Sequence, residues 1–309
     1  VRPVLGRLAE TLAVAVVVSA LSFLLLAFTR GDAATASVRA QGVPVTPERV
    51  SAERARLGLD RPLPERYVRG LAAAAHGDLG VSVRSGRPVG QEVAVRLGPT
   101  LRLAAAGGVV AVVVGLAIGL GEAALRGRSA GPALRAASLV LVCVPPFALA
   151  FALVAVFSLG LGWLPTQGTR GARALVLPAL VLGLPAGAAI GRVLLTRLRE
   201  VLAEPYLVTA SAQGEPAAVR LLLWALPNAA VTTLVAGGNV LAGVASGTLV
   251  VERLFGWPGL GAYLIDALQY RDWYPLQASV LVLAVLIVAV RGLTLMVAAV
   301  LDPRARVAA

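Results

Sequence analysis

The run TLRLAAAGGVVAVVVGLAIGLGEAAL, residues 100–125, settles what kind of protein this is. As a helix it is long enough to cross the roughly 30 Å hydrocarbon core of a bilayer, a task for about 20 apolar residues. Five more stretches share that property: 11–29, 134–162, 174–195, 228–251 and 276–301. Pro145-Pro146 inside the 134–162 run predicts a kink or break. The chain of 309 residues is 58% hydrophobic and 14% charged, with mean hydropathy +0.83. A soluble domain carries roughly 25% charged residues. The expectation is an all-α membrane protein with about six transmembrane helices. A secretory signal competes for 11–29, but no convincing small-residue cleavage site follows it and the rest of the chain is polytopic.

Composition narrows the function. All 28 basic residues are Arg, and the net charge is +12. They lie mostly between the apolar runs, where orientation in a bilayer needs them, so lipid rather than nucleic acid is the expected partner. Without Lys there is neither a GxxxxGK[ST] phosphate loop nor a Schiff-base amine. No cofactor is expected on this chain, and any nucleotide energy must come from another. One Cys, one His and one Met leave no intrachain disulfide and too few ligands for a zinc site. His76 and Cys143 are read as non-functional, and no catalytic or metal-binding residue is assigned.

The short loops give orientation. With the N-terminus inside, one side collects eleven arginines, Arg126, Arg135, Arg192 and Arg220 among them, against four on the other, Arg170, Arg173, Arg253 and Arg271. Both termini are therefore expected in the cytoplasm. The 30–98 segment forms an extracytoplasmic cap. TPERVSAERARLGLD (46–60) starts a helix on a Thr cap, RPLPERYVRGLAAAA (61–75) is a second amphipathic helix, and 77–97 reads as a turn, an extended piece and a helix entering the second span.

Residues 200–227 carry a different grammar. Pro205 suits a helix start, with Glu204 at its positive end. Gly214 supplies the left-handed position that stops it. Glu215-Pro216 starts a second helix that runs through Arg220 towards Pro227 and the fifth span. Tyr206, Leu207 and Val208 then face water with no evident cover, the mark of a docking site. The competing reading is a helix lying on lipid headgroups.

Here the sequence resembles a family. Gly214, followed by Trp224-Ala225-Leu226-Pro227, has the spacing of the EAA loop of ABC importer permeases, EAA-x3-G-x9-I-x-L-P. LGLDRPLPERY (57–67), GDLGVSVRSGRPV (77–89), VPPFALAFALVAVFSLGLGWLPTQG (144–168), ERLFGWPGLGAYLIDALQYRDWYPLQA (252–278) and LDPRAR (301–306) all look like the first permease subunit of dipeptide, oligopeptide and nickel importers. The resemblance implies a type I ABC importer permease fold in the bacterial cytoplasmic membrane. It also implies alternating access, with ATP and magnesium used by two partner ATPases. Further implied partners are a second homologous permease subunit in a heterodimer and an extracytoplasmic substrate-binding protein. Its coupling residues fall on Tyr206, Leu207, Val208, Thr209, Ala210, Gln213, Gly214, Leu226 and Pro227. Of the pattern's Glu-Ala-Ala only Ala210 is kept, and Gln213 stands where a basic residue is expected.

In the outer loop the matched positions are Glu252, Phe255, Pro258, Gly259 and Gly261, read as structural first. Phe255, Trp257 and Tyr263 suit a headgroup belt. Arg291 stands in the last span, where the family tends to carry Asn. At a helix centre it costs about 2.5–3.5 kcal/mol on insertion scales, so it is expected to face the bundle or a partner subunit. The cargo implied by the resemblance is a peptide, with nickel or a metal chelate as the alternative. Two other classes compete. An ion-coupled transporter or channel needs ionisable groups in its spans, and a hydrolase built on the Ser of GVASG (243–247) lacks a nearby His.

Overall fold

Helices form every long element of the structure, a computed structural model that describes residues 32–125, 129–168, 171–270 and 272–301, with Ala13, Val16, Val17, Ala20, Leu21, Phe23 and Leu24. The 11–29 run lies outside the described residues but for those seven, as does most of LDPRAR. The helices are α1 (Ala33–Ala40), α2 (Pro47–Arg56), α3 (Leu63–Ala75), α4 (Val89–Ala124), α5 (Ala130–Cys143), α6 (Pro146–Leu153), α7 (Arg173–Leu202), α8 (Pro205–Ala212), α9 (Ala217–Val219), α10 (Leu226–Phe255), α11 (Leu260–Tyr270) and α12 (Trp273–Leu301). Wider π-helical turns extend α6 over Val154–Gly160 and join α9 to α10 over Arg220–Ala225.

Among the described residues four stretches are long and apolar enough to cross a membrane: Val89–Ala124, Arg173–Leu202, Ala217–Phe255 and Trp273–Ala298. The α5–α6 pair makes a fifth only if its two limbs are counted together, since they are bent by 113°. The break falls at Pro145, whose backbone is extended, and Pro146 restarts the helix where a missing N–H leaves nothing unsatisfied. Elsewhere the helices outrun the sequence boundaries. α4 begins at Val89, so the helix expected at the end of 77–97 and the 100–125 run form one unbroken helix that passes through Pro99. The fifth run is continuous with the helix that starts at Ala217. Its π turn ends just ahead of Pro227, which cannot donate to the carbonyl four residues back and whose ring crowds it; widening the turn relieves both.

The chain divides into two compact units. One comprises Leu101–Gly256 with Ile287 onward, the other the described part of Val1–Thr100 with Trp257–Leu286. The first is organised on α7, whose most apolar window is 67% buried, against 11% for α12. α7 meets α4 through small residues on both helices. A Cβ added at Gly183 would lie 2.4 Å from Val110 Cβ, one at Gly187 2.9 Å from the Ala111 carbonyl oxygen, and one at Gly191 2.9 Å from that of Gly115. In return, a Cβ on Gly115 would meet Ile190 at 2.8 Å and one on Gly119 Leu194 at 2.8 Å. Between apolar surfaces in lipid the hydrophobic effect supplies no drive, and close van der Waals approach does the holding. α10 adds Gly238, whose Cβ position lies 3.0 Å from Thr294. Its buried Thr233 and Thr248 donate back to the carbonyls of Ala229 and Ala245, at 2.8 Å each, which satisfies both hydroxyls.

The other unit is held by directional polar contacts. Asp32 caps α1, accepting from the amides of Ala34 and Thr35, and pairs with Arg54 at 2.8 Å. Glu53 on α2, 8% exposed, accepts from Ser37 Oγ on α1 and from Arg56 Nε at 2.8 Å. Hydrogen bonds from Arg56 hold the Glu53 carboxyl below its ordinary value. The turn between α3 and α4 is clamped by buried Asp272, which accepts from Ser82 Oγ at 2.5 Å and from the amides of Val83 and Arg84 at 3.1 Å. Arg84 stacks 3.4 Å from the Tyr270 ring centroid.

Candidate functional site

The elbow over 204–227 is built from local rules. Glu204 is extended, and Pro205 opens α8 without a wasted donor. At the far end Gly214 has φ +86°. Its amide donates to Ser211 O and that of Glu215 to Ala210 O, both at 3.1 Å. Together these bonds close a Schellman motif, which satisfies the last carbonyls of α8 and fixes the angle at which the chain leaves. The Trp224 indole N–H reaches back to Glu215 at 3.2 Å, bracing the second limb on the corner.

One side chain decides how the elbow is mounted. Leu207 is 1% exposed, packed with Leu194 and Leu198 of α7 and with Ala225 and Ala229, while Leu226 borders the same cluster. The expectation that Tyr206, Leu207 and Val208 all face water is corrected: Tyr206 and Val208 are 48% and 56% exposed, and Leu207 points inward. Burying a Leu is worth roughly 1.5–3 kcal/mol, so α8 is pinned to the foot of two long helices. Thr209, Gln213, Gly214 and Pro227 are exposed, and Ala210 is half-buried. α8 thus presents an exposed face while Leu207 packs against α7 and the start of α10.

On either side of Gly256 the chain is held by contacts inside its own unit. Glu252 and Phe255 are buried near the end of α10, which stops at Gly256 with φ +62°. Beyond it Trp257 is 7% exposed, and its indole N–H donates to the Pro99 carbonyl at 3.0 Å. Leu260 N–H donates to Thr100 Oγ1 at 2.8 Å. Gly259 and Gly261 are buried and Pro258 is exposed. The headgroup-belt expectation fails for Phe255 and Trp257, which their own units cover. Tyr263 is half-buried with the Arg96 guanidinium 4.3 Å from its ring centroid, and burial pushes its hydroxyl up to about 12. Arg291 is exposed, so the bundle of this chain does not enclose it.

Sequence reasoning passed over Asp272, Ser82 and the glycine ladder. The 1-in-4 spacing of Gly183, Gly187 and Gly191, matched by Gly115 and Gly119, was the legible signal.

The described residues thus combine membrane-length helices with a short helix packed at the foot of two of them. Residues 111–307 match the family described as binding-protein-dependent transport system inner membrane component, and the chain belongs to that family, the permeases of ABC importers. Among its curated relatives is the glutathione transport system permease protein GsiC of Escherichia coli O6:H1 (strain CFT073), 35% identical over 278 residues, 90% of either chain. The protein of the same name from Salmonella paratyphi A is 34% identical over the same length. That of Pectobacterium atrosepticum is 34% identical over 303 residues, 97% of each chain. These relatives are transport permeases by name, not enzymes.

Proposed function

We propose that this chain is the permease subunit through which short peptides enter the cell by alternating access, with the work done by two separate ATPases that use ATP and magnesium. The α8 elbow is the coupling element. Tyr206, Val208, Thr209 and Gln213 form the face offered to an ATPase, Leu207 is the key into the bundle, and Gly214 is the corner. A second, homologous permease completes the pathway, covering the exposed face of α12 that carries Arg291. A substrate-binding protein delivers solute on the side of the 32–98 cap, and both termini lie in the cytoplasm. The relatives' names support a peptide cargo, glutathione being a tripeptide.

The single observation that carries this reading is the closed corner at Gly214 beside the buried Leu207, since force passes through a joint only if it cannot flex. Gly214→Val tests it. Space is open around the Cβ position, with nothing within 4 Å, so the effect is confined to the backbone. A β-branched residue at φ +86° is strained by about 1–2 kcal/mol. Membrane insertion should persist while ATP hydrolysis in the reconstituted importer separates from uptake. Unchanged uptake refutes the corner. Transport by this chain alone in liposomes under an ion gradient would instead favour a self-sufficient transporter.

A further inference from the structure

The unit that holds the cap contains a cavity of about 360 Å³, between the end of α2, α3, the 78–83 turn and the first turns of α12. That volume lies within the roughly 300–1,000 Å³ of small-ligand pockets. Its walls are of two kinds. Leucines with Trp273 and Tyr274 supply apolar residues, and Arg56, Arg61, Arg66 and Arg69 line the cavity against one acid, Asp78. The Tyr274 ring is set against backbone: a Cβ on Gly80 would fall 2.4 Å from it.

The four cations are not equally matched. Arg56 grips Glu53 through two nitrogens, at 2.8 and 2.6 Å. Arg61 and Arg69 share a single oxygen of Glu65, at 3.6 and 3.0 Å. Arg66 forms no ion pair with any carboxylate among the described residues; its guanidinium stands 5.7 Å from the Phe23 ring centroid. Burial pulls it below its ordinary value, with Tyr274 opposing. Asp78 accepts from the Gly80 amide at 2.9 Å and pairs with none of the four among the described residues. A half-buried cation without an acid is unfavourable in a folded protein, and the empty volume beside it is where an acid fits.

We propose that this cavity is a subsite for the carboxylate of a short peptide. Arg66 provides the planar, two-pronged donor that a carboxylate matches, and Trp273 and Tyr274 flank the apolar part of the ligand. The subsite rests on the reading of the chain as a peptide permease whose cap faces the supply side. It gives the permease its own hold on anionic peptides, apart from the binding protein.

The test uses the full chain in zwitterionic nanodiscs, titrated calorimetrically with glutathione, with dialanine and with the dicarboxamide of glutathione. At least one free acid should bind, with the diamide about tenfold weaker or worse. Arg66→Gln should weaken binding roughly ten- to hundredfold, the range of a lost charge-assisted pair, and Arg66→Lys should recover part of it. Gly70→Leu is the second variant. Gly70 lines the cavity, has an ordinary φ and has nothing within 4 Å of its Cβ position, so a Cβ is accepted there without a clash, and the bulk added at the lining should weaken binding about tenfold or more. Equal binding of acid and diamide, parental affinity in both variants, or no binding of either peptide overturns the subsite. So does loss of peptide binding when phosphatidylglycerol is added, which would make the ligand a lipid phosphate. Uptake by the complete importer is read separately: transport retained without binding removes the subsite and leaves the permease standing.

Discussion

The two units keep their helices together by opposite means. In Leu101–Gly256, α4 and α7 touch through glycines, so that the backbone of one lies against side chains of the other. In the cap unit the contacts are aimed: a carboxylate to an amide, a guanidinium to a carboxylate, an indole to a carbonyl. The contrast follows the surroundings. Where lipid replaces water, removing apolar surface from solvent gives no reward and helices associate by fit. Where segments leave the apolar runs, polar groups must be satisfied, and satisfying them internally fixes one arrangement.

The comparison can be broken at its strongest point. Gly183→Val sets a branched side chain where even a Cβ would lie 2.4 Å from Val110 and 2.7 Å from the Gly107 carbonyl oxygen. It should destabilise by about 3 kcal/mol or more, seen as a lower midpoint of denaturation in detergent, with the cap's amide protection unchanged. Tolerance would mean that close approach is not what holds α4 to α7.

Leu207→Ala should cost about 2–5 kcal/mol, in line with other buried leucines, and proteolysis should begin near α8. Val208→Ala, on the exposed face, should leave stability alone and weaken only ATPase association. Identical behaviour of the two would erase the distinction between key and face.

Asp272→Ala strands Ser82 and two amides, for a loss of about 2–4 kcal/mol. The loss should be local, as faster hydrogen exchange over 81–84 with the glycine ladder undisturbed.

The smallest effect is pH-dependent. Hydrogen bonds from Arg56 hold the Glu53 carboxyl below its ordinary value of 4.5, so its contribution is fully present above that value and fades as pH falls through the lower folded value. Exchange over α1 and α2 should quicken below about pH 4.5 by a few-fold. Glu53→Gln should flatten that dependence, and a parent-like pH profile in the variant would remove Glu53 as its source.

How much could be read beforehand varied with the range of the interaction. The corner at Gly214 was legible because a Schellman motif is written within six consecutive residues. The break at Pro145-Pro146 was legible because proline acts on its own backbone. Pro99 acts on its own backbone too, but its local penalty is outweighed where α4 continues through it. The direction of Leu207 was hidden, since three apolar neighbours on one short helix look alike until α7 supplies a surface for one of them. Asp272 was hidden too, because its partners Ser82, Val83 and Arg84 lie nearly two hundred positions away in the chain.

By itself, then, the sequence determined a membrane-embedded helical permease with an elbow between its fourth and fifth apolar runs, because length, hydropathy and turn chemistry act over a few residues at a time. Only the tertiary structure decided which side chain of the elbow is buried, which glycines lie between α4 and α7, and that Arg66, beside a cavity, has no carboxylate partner among the described residues. Each of these depends on which distant segment arrives opposite, and that is set by packing.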